Sequence, residues 1–490
     1  MLFEKLQFTT NDFIAVIPEI ILCLSALFIS VIDFMSSGKG KKAVACMAGI
    51  ALTVTLISVL LLNGKNYTAY SGMFIIDSYA MFIKVIVLLA AILTVAISHR
   101  YISEAGYELG EYYTLILFSV LGMMTMASGG DLISIFIGLE LMAIPCYFLT
   151  GIFKRQKRSM EGALKYFLMG AFSSAVLLYG ISFLYGITGT TNLYEIAQYF
   201  TTPAANINNP IFYLVLVLLV AGFGFKISAV PFHMWCPDVY EAAPTPITAF
   251  MSTAVKAASF AIFLRVYATA LAPLHVNWAP TLAVLAALTM TVGNVIALTQ
   301  KSFKRMLAYS SIAHAGYILI GLVSLTVADG VSSVLFYLLV YTFMNIGPFI
   351  IIMLLRTKNR DGESLDDVKG LGKRSPLLAA FIMVFLFALT GLPPTGGFIA
   401  KYYLFLAAFK ANFLWLTIVA CVNTAISAFY YFRVCMYMYM YEPTVEEELI
   451  TPARPVMIAL YTSIVFTLLT GMIPGPFLDF VQKSVMFIGN

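Results

Sequence analysis

The sequence predicts an all-α membrane protein with many transmembrane helices. Of its 490 residues, 61% are hydrophobic and 11% are charged, and the mean hydropathy is +0.92. A water-soluble protein of this length would carry far more charge on its surface. Apolar stretches of about 20 residues recur from end to end, each long enough to cross a hydrocarbon core of roughly 30 Å. We therefore predict about 14 membrane spans and no sizeable soluble domain.

The placement of lysine and arginine predicts the orientation of these spans. Of the 29 basic residues, 18 fall in loops that follow odd-numbered spans, four fall on the other side and seven fall within spans. Basic loops remain in the cytoplasm, so both termini are expected on the outer side. The first stretch, from about Phe13, lacks the features of a cleaved signal peptide. The net charge of +5 is therefore attributed to membrane anchoring and not to nucleic-acid binding.

Two predicted spans are interrupted by helix-breaking residues. The seventh contains Pro231 near its end, and the twelfth contains Pro393, Pro394 and Gly396 near its middle. Proline removes a backbone donor and glycine loosens a helix, so both spans should be broken helices. Freed backbone groups persist at membrane depth only inside protein or beside water.

The two broken spans lie five spans apart, which predicts an internal repeat. A unit of five spans reverses its orientation when repeated in tandem, as in transporters with inverted repeats. We predict a three-helix segment at 1–110, a first five-helix repeat at 111–272, an inverted second repeat at 273–442 and a C-terminal helix at 443–490.

Ionisable residues inside the spans form the candidate site. They are Glu140, Lys165, Lys226, Lys256, His314 and Lys401. A charge at membrane depth is costly unless it is paired or hydrated, so such residues commonly mark ion or proton pathways. The alternative is an ion pair that only locks helices together.

The positions of these residues favour a role in proton transfer to different degrees. Lys226 and Lys401 each lie close to a helix break, and Lys256 lies deep in its span with serine and threonine nearby. Lys165 lies about one turn from the cytoplasmic end, so a side chain that reaches the surface is an open alternative. His314 shares a helical face with Ser310 and Tyr317, a polar stripe that equally suits helix packing.

Other charged residues are expected to have structural roles. We interpret Lys84 as structural, and Arg265 as a side chain that reaches the membrane surface. Glu19 is expected to be solvated or to cap a helix. The loop that contains Asp238 and Glu241 is rich in proline and is interpreted as a rigid connector.

Several classes of site are not indicated by the sequence. The six cysteines are scattered without a C-x-x-C pair, and the four histidines lack metal-ligand spacing. We find neither a G-x-G-x-x-G fingerprint nor a P-loop. We therefore expect no metal and no nucleotide cofactor in this chain.

Four segments together resemble a known family. They are FIGLELMAIPCYF, KISAVPFHMWCPDVYEAAPTPITAFMSTAVKAASF, QKSFKRMLAYSSIAHAGY and GLPPTGGFIAKYYLF. These segments are similar to the antiporter-like membrane subunits of bacterial respiratory complex I, the proton-pumping NADH:quinone oxidoreductase. Several long matches in the same order, over predicted spans five to twelve, make this resemblance specific.

The resemblance implies a proton-translocating subunit of the complex I membrane arm in a bacterial inner membrane. The family's glutamate of the fifth span falls on Glu140, and its lysines of the sixth and seventh spans fall on Lys165 and Lys226. Its lysines of the eighth and twelfth spans fall on Lys256 and Lys401. FMN, iron–sulfur clusters, NADH and quinone are bound by other subunits of such a complex. The expected neighbours are K-like and M-like membrane subunits.

Two other functions are compatible with the same sequence. A subunit of an Mrp-type cation/proton antiporter would share the fold and much the same lysines, but it would copurify without flavin. A structural membrane scaffold would need the lysines for assembly alone. We rank the scaffold last, because several buried charges are costly to retain for packing.

Overall fold

The computed structural model describes residues 9–36, 41–107, 109–202, 210–327, 329–357, 360–443 and 452–485. Parts of the predicted terminal segments, at 1–8, 444–451 and 486–490, lie outside this range. The described residues are almost entirely helical and form 21 α-helices. These are α1 Thr10–Ala15, α2 Ile17–Met35, α3 Lys41–Leu61, α4 Ser78–Glu104, α5 Glu111–Ala127, α6 Leu132–Thr150, α7 Lys157–Thr188, α8 Leu193–Thr201, α9 Pro210–Ile227, α10 Trp235–Ala242, α11 Thr245–Phe250, α12 Lys256–Thr269, α13 His275–Thr299, α14 Phe303–Val323, α15 Asp329–Leu354, α16 Leu371–Arg374, α17 Pro376–Thr390, α18 Gly396–Lys410, α19 Leu414–Met440, α20 Arg454–Met472 and α21 Gly475–Lys483.

The prediction of an all-α membrane protein is confirmed. Within the described residues, 12 helices are long and apolar enough to cross a membrane, and α5 and α17 are shorter apolar helices. A short antiparallel hairpin of β1 (Tyr67–Ala69) and β2 (Phe74–Ile76) was not predicted. The count of 14 spans and the inverted repeats remain predictions.

The helices begin where the sequence supplies a capping side chain. Asp77 accepts a hydrogen bond from the Ala80 amide at 2.7 Å and caps α4. Asp131 likewise accepts from the Ile133 amide at 2.8 Å and caps α6. Such caps satisfy amides that have no partner inside the helix. Polar residues at helix ends therefore fix where the apolar helices start.

The helices that carry the candidate site are the most enclosed. Thr245–Thr269, which contains α11 and α12, and α15 are buried along their whole apolar windows, and α14 is nearly so. By contrast α2 exposes large apolar side chains such as Phe28 and Phe34. Lys256 and His314 therefore lie in the interior of the bundle.

Helix α9 ends at Ile227, one residue after Lys226. Ser228 then adopts a positive φ of 62°, and helix resumes only at Trp235, so Pro231 lies in the non-helical segment. Helix α17 ends at Thr390 with Gly391 at φ 87°, a conformation that favours glycine.

The second interruption contains Pro393 and Pro394 and ends where α18 begins at Gly396. A Cβ atom at the next residue, Gly397, would collide with the carbonyl oxygen of Ala388. Glycine therefore allows the start of α18 to pass directly against the end of α17.

Several loops meet on one side of the bundle. They follow predicted spans of odd number. Arg158 in the first turn of α7 and Arg305 in the first turn of α14 form ion pairs there with Glu241 of α10, and Arg158 also pairs with Glu363. We call this the basic side, because the sequence predicts most of the loop lysines and arginines on it.

Candidate functional site

Glu140, Ser174 and Lys226 form a compact group between three helices. The Ser174 hydroxyl of α7 donates to Glu140 Oε1 of α6 at 2.5 Å. Lys226 Nζ, in the last turn of α9, donates to the same hydroxyl at 3.1 Å and lies 3.7 Å from Glu140 Oε1. The serine thus bridges a buried cation and a carboxylate. Sequence reasoning missed Ser174, because an isolated serine in a helix gives no distinctive signal.

Lys256 begins α12 directly after a π-helical turn at Met251–Val255. Its Nζ donates to the Ser311 backbone carbonyl and, at 2.6 Å, to the Ser311 hydroxyl of α14. The Tyr341 hydroxyl donates to Ser311 Oγ at 3.0 Å. Lys256 is 2% exposed, so these oxygens replace the water that its ammonium would otherwise bind.

The hydroxyls expected near Lys256 have other partners. Ser252 and Thr253 both donate to the Ala249 carbonyl, at 3.0 Å and 2.7 Å, and Ser259 donates to the Val255 carbonyl at 2.7 Å. Serine and threonine in helices commonly form such local bonds. The polar partner of Lys256 therefore comes from a different helix, which the local sequence could not indicate.

His314 lies between two tyrosine hydroxyls in the interior. Its Nδ1 is 2.6 Å from the Tyr337 hydroxyl of α15, and its Nε2 is 3.4 Å from the Tyr431 hydroxyl of α19. Tyr431 also forms a hydrogen bond with Ser310. A hydroxyl can donate and accept at once, so this group can pass a proton between its members. Neither tyrosine was singled out from the sequence, where aromatic residues suggest core packing.

Lys401 is held by the end of the helix that precedes the break. Its Nζ donates to the carbonyls of Leu389 and Thr390, at 3.1 Å and 2.9 Å. These carbonyls belong to the last residues of α17, where the helix provides no further donor. The ammonium also lies 4.5 Å from the centre of the Tyr317 ring, a favourable cation–π position.

Helix α14 connects the environments of Lys256 and Lys401. Ser311 contacts Lys256, Tyr317 contacts Lys401, and His314 lies midway between them in sequence. Residues three apart share a helical face, so one face of α14 carries all three groups. Among the described residues, the hydrogen bonds of Lys226 and of Lys256 have no common partner.

Lys165 lies apart from the other candidate residues. We call these the buried row: Lys226, Lys256, His314 and Lys401, with Glu140 beside Lys226. Lys165 Nζ forms an ion pair with Asp238 of α10, and the side chains are 37% and 35% exposed. The structure thus places Lys165 at the basic side, in agreement with the alternative of a side chain that reaches the surface. Asp238 was interpreted only as part of a rigid connector, so its charge contacts were missed.

Two further ion pairs correct expectations from the sequence. Arg265 does not reach the membrane surface, because it is 2% exposed and binds both oxygens of Asp77, at 3.0 Å and 2.9 Å. Glu19 is not solvated, because it is 7% exposed and pairs with Lys84 at 2.6 Å. The expected exposure to solvent was wrong for both residues for one reason: closeness to the end of an apolar stretch does not reveal which other helix covers that end. The alternative for Glu19, a place at a helix end, agrees with its position in the first turn of α2.

The described residues show no group of three or more histidine, cysteine, aspartate or glutamate side chains that could hold a metal ion. The six cysteines are free.

Comparisons with known proteins match nearly the whole chain. Residues 129–427 match the family model of the NADH:quinone oxidoreductase and Mrp antiporter transmembrane region. NADH-quinone oxidoreductase subunit N of Trichlorobacter lovleyi is 44% identical over 98% of both chains. NADH-quinone oxidoreductase subunit N 2 of Rhizobium meliloti is 43% identical over 96% of this chain and 97% of the relative.

Solved structures give a consistent result. A chain of respiratory complex I from Thermus thermophilus is 34% identical, with a TM-score of 0.80 over 94% of this chain and 99% of that chain. A chain of the Mrp complex from Dietzia has a TM-score of 0.82 over 97% of each chain, but at 20% identity it shows the fold alone. The chain therefore belongs to the family of NADH:quinone oxidoreductase and Mrp antiporter membrane subunits, and its close relatives within that family are the proteins named subunit N.

Proposed function

We propose that this chain is a proton-translocating subunit in the membrane arm of an NADH:quinone oxidoreductase. The observation that carries the proposal is the buried row itself, in which Lys226 shares Ser174 with Glu140 while α14 connects Lys256 to Lys401. Ionisable groups at such depth are costly, and in membrane proteins they typically serve ion or proton transfer. The names of the full-length relatives support the same function.

The proposed mechanism is a change in charge pairing. Glu140 stabilises the protonated form of Lys226 while the two are close. When a charge change in a neighbouring subunit draws Glu140 away, the ammonium of Lys226 loses its only anionic partner in the described part of the chain. It then releases a proton toward Lys256, His314 and finally Lys401. Because only pairings change, no large helix movement is needed.

We extend the same proposal to the other subunits of the complex and to the membrane in which it lies. Redox chemistry in other subunits, which would bind NADH, FMN, iron–sulfur clusters and quinone, supplies the driving force. The neighbours in the membrane would be K-like and M-like subunits. The membrane would be a bacterial inner membrane, with both termini on the periplasmic side as the basic loops predict.

An Mrp-type antiporter subunit has weaker support. The likeness to the Mrp structure extends to the fold alone, whereas relatives named subunit N are 38% to 45% identical to this chain. Copurification with a flavin-containing peripheral arm would separate the two functions.

The test replaces Lys226 in the assembled complex. In proteoliposomes that hold the whole complex, Lys226→Ala should lower proton transfer through this subunit about a hundredfold, a loss typical of a missing proton-transfer group. The readout is the number of protons moved per electron. Lys410→Ala is the control, since Lys410 forms a surface ion pair and its side chain is 45% exposed.

Lys226→Arg separates translocation from a structural role. Arginine keeps the positive charge but does not release its proton at physiological pH. A residue needed only for an ion pair would tolerate arginine, whereas a proton carrier would not. Unchanged protons per electron in Lys226→Ala, or full function in Lys226→Arg, would overturn the proposal.

A further inference from the structure

Helix α10 carries two carboxylates that lie at the centre of an ionic cluster on the basic side. Asp238 Oδ2 pairs with Lys165 of α7, and Asp238 Oδ1 lies 2.8 Å from Arg305 Nη2 of α14. One turn later, Glu241 pairs with Arg305 Nη1 at 2.6 Å and with Arg158 Nη2 of α7 at 2.5 Å. The short helix α10 thus contacts both α7 and α14 through ion pairs.

The start of α14 is fixed to the same place by a buried lysine. Lys304 is 1% exposed and donates to the carbonyls of Ala243 and Glu241, at 2.7 Å and 3.3 Å. Its Nζ also pairs with Glu363 at 2.6 Å. Backbone and carboxylate oxygens together satisfy this ammonium, so the end of α10 and the first turn of α14 are joined as one unit.

We infer that Asp238 is a positioning residue for proton translocation. It holds Lys165 on one carboxylate oxygen and Arg305 on the other. It thereby links α7, whose Ser174 bridges Glu140 and Lys226, to α14, whose Ser311 binds Lys256. This inference rests on the proposed function. Among the described residues, the hydrogen bonds of Lys226 and of Lys256 have no common partner, whereas Asp238 pairs with one cation on α7 and one on α14.

Helices α7 and α14 each connect one partner of Asp238 to one end of the link. Lys165 and Ser174 share α7, and Ser174 bridges Glu140 and Lys226. Arg305 and Ser311 share α14 and lie six residues apart, about 9 Å along a helix. A helix transmits a displacement of its end along its axis, so a change in how Lys165 and Arg305 share Asp238 alters the position of Ser311 against Lys256.

The charge state of Asp238 suits this role. Partial burial would raise its pKa, but hydrogen bonds and charges from Lys165 and Arg305 outweigh burial and hold the pKa below its usual value. The groups facing it are these two cations, with Glu241 and Arg158 next to them. A carboxylate with a lowered pKa keeps its ion pairs above the ordinary carboxyl pKa of about 3.9 and loses them only as the pH falls through the lower folded value. Asp238 therefore stays charged throughout the neutral range.

The experiment replaces Asp238 in the whole complex in proteoliposomes. In Asp238→Asn, we expect proton transfer through this subunit to fall about two- to fivefold, the scale of a partly exposed ion pair. The readout is the number of protons moved per electron by each assembled complex. The factor should be the same between about pH 6 and pH 8, because Asp238 does not titrate there. Asp238→Glu should restore most of the ratio.

The matched control is Asp329→Asn. Asp329 pairs with Lys410 at 2.6 Å, also joins two helices, and has a side chain 34% exposed against 35% for Asp238. The control should leave the ratio of protons to electrons unchanged. A purely structural role of Asp238 would lower the amount of assembled complex, measured by flavin content, while the ratio per complex stayed constant.

Two outcomes separate this inference from the proposed function. If Lys226→Ala abolishes translocation while Asp238→Asn behaves like Asp329→Asn, the inference is overturned and the proposed function stands. If Lys226→Ala also has no effect, the proposed function itself fails. A double variant, Asp238→Asn with Arg305→Gln, should lose less than the sum of the two single losses, because both changes remove the shared contact between Asp238 and Arg305. Additive losses would contradict the link.

Discussion

The two halves of the row stabilise their buried cations in different ways. In the first half, Lys226 has a carboxylate within 3.7 Å and a serine that bridges the pair. In the second half, Lys256 and Lys401 have only neutral acceptors among the described residues: a serine, backbone carbonyls and an aromatic ring. One half therefore responds to movement of an anion, whereas the other offers sites where no anion holds a proton in place.

This difference gives the row a direction in energetic terms. An ion pair inside a low-dielectric bundle is strongly sensitive to the distance between its charges. The energy of a hydrogen bond to a neutral acceptor changes less when a side chain shifts. In addition, a hydroxyl can exchange its donor and acceptor roles. The first half is thus suited to receive an electrostatic signal, and the second half is suited to pass a proton on.

The largest expected effect concerns a buried pair outside the row. Arg265→Ala leaves Asp77 buried and unpaired, and breaking such a pair costs about 3–5 kcal/mol. Thermal unfolding of the purified complex should show this loss, while the protons moved per electron by the surviving complex stay unchanged. Lys373→Ala, in a pair with side chains 62% and 80% exposed, is the control with little expected effect. A lower proton ratio in Arg265→Ala would show that the row extends to this pair.

The second-largest expected effect concerns the pair of Glu140 and Lys226 in the first half. Glu140→Gln makes the surroundings of Lys226 neutral, like those of Lys256, and should lower proton transfer about tenfold because a buried charge loses its partner. The measurement is again protons per electron in proteoliposomes, with Glu195→Gln as a control at an exposed carboxylate. Normal translocation in Glu140→Gln would remove the distinction between the halves.

The smallest effect concerns the hydroxyl beside the histidine. Tyr337→Phe removes the partner at 2.6 Å from His314 Nδ1, and one hydrogen bond is worth about 1 kcal/mol, or roughly a fivefold change in rate. Tyr267→Phe is the matched control, because the buried Tyr267 hydroxyl has no hydrogen-bond partner in the described structure. Equal effects of the two changes would exclude a specific role for Tyr337.

The fold class could be predicted from the sequence, because apolar run length alone sets whether a helix can cross a membrane. The charged members of the row were also visible, since a lysine such as Lys226 is conspicuous in an apolar helix. Ser174, Tyr337 and Tyr431 were not, because their importance depends on which helix faces them. Pairings such as that of Arg265 with Asp77, 188 residues apart, likewise follow from packing that the sequence does not display.

The π-helical turn before Lys256 has a consequence for how the site tolerates change. Such a turn contains one residue more than an α-helical turn needs. Each residue advances an α-helix by about 100°, so the extra residue sets the rotation of everything that follows it in α12. The direction in which Lys256 points is therefore encoded in the length of the segment Met251–Val255, and a chain shortened by one residue there would turn the lysine away from Ser311 while keeping every side chain of the row.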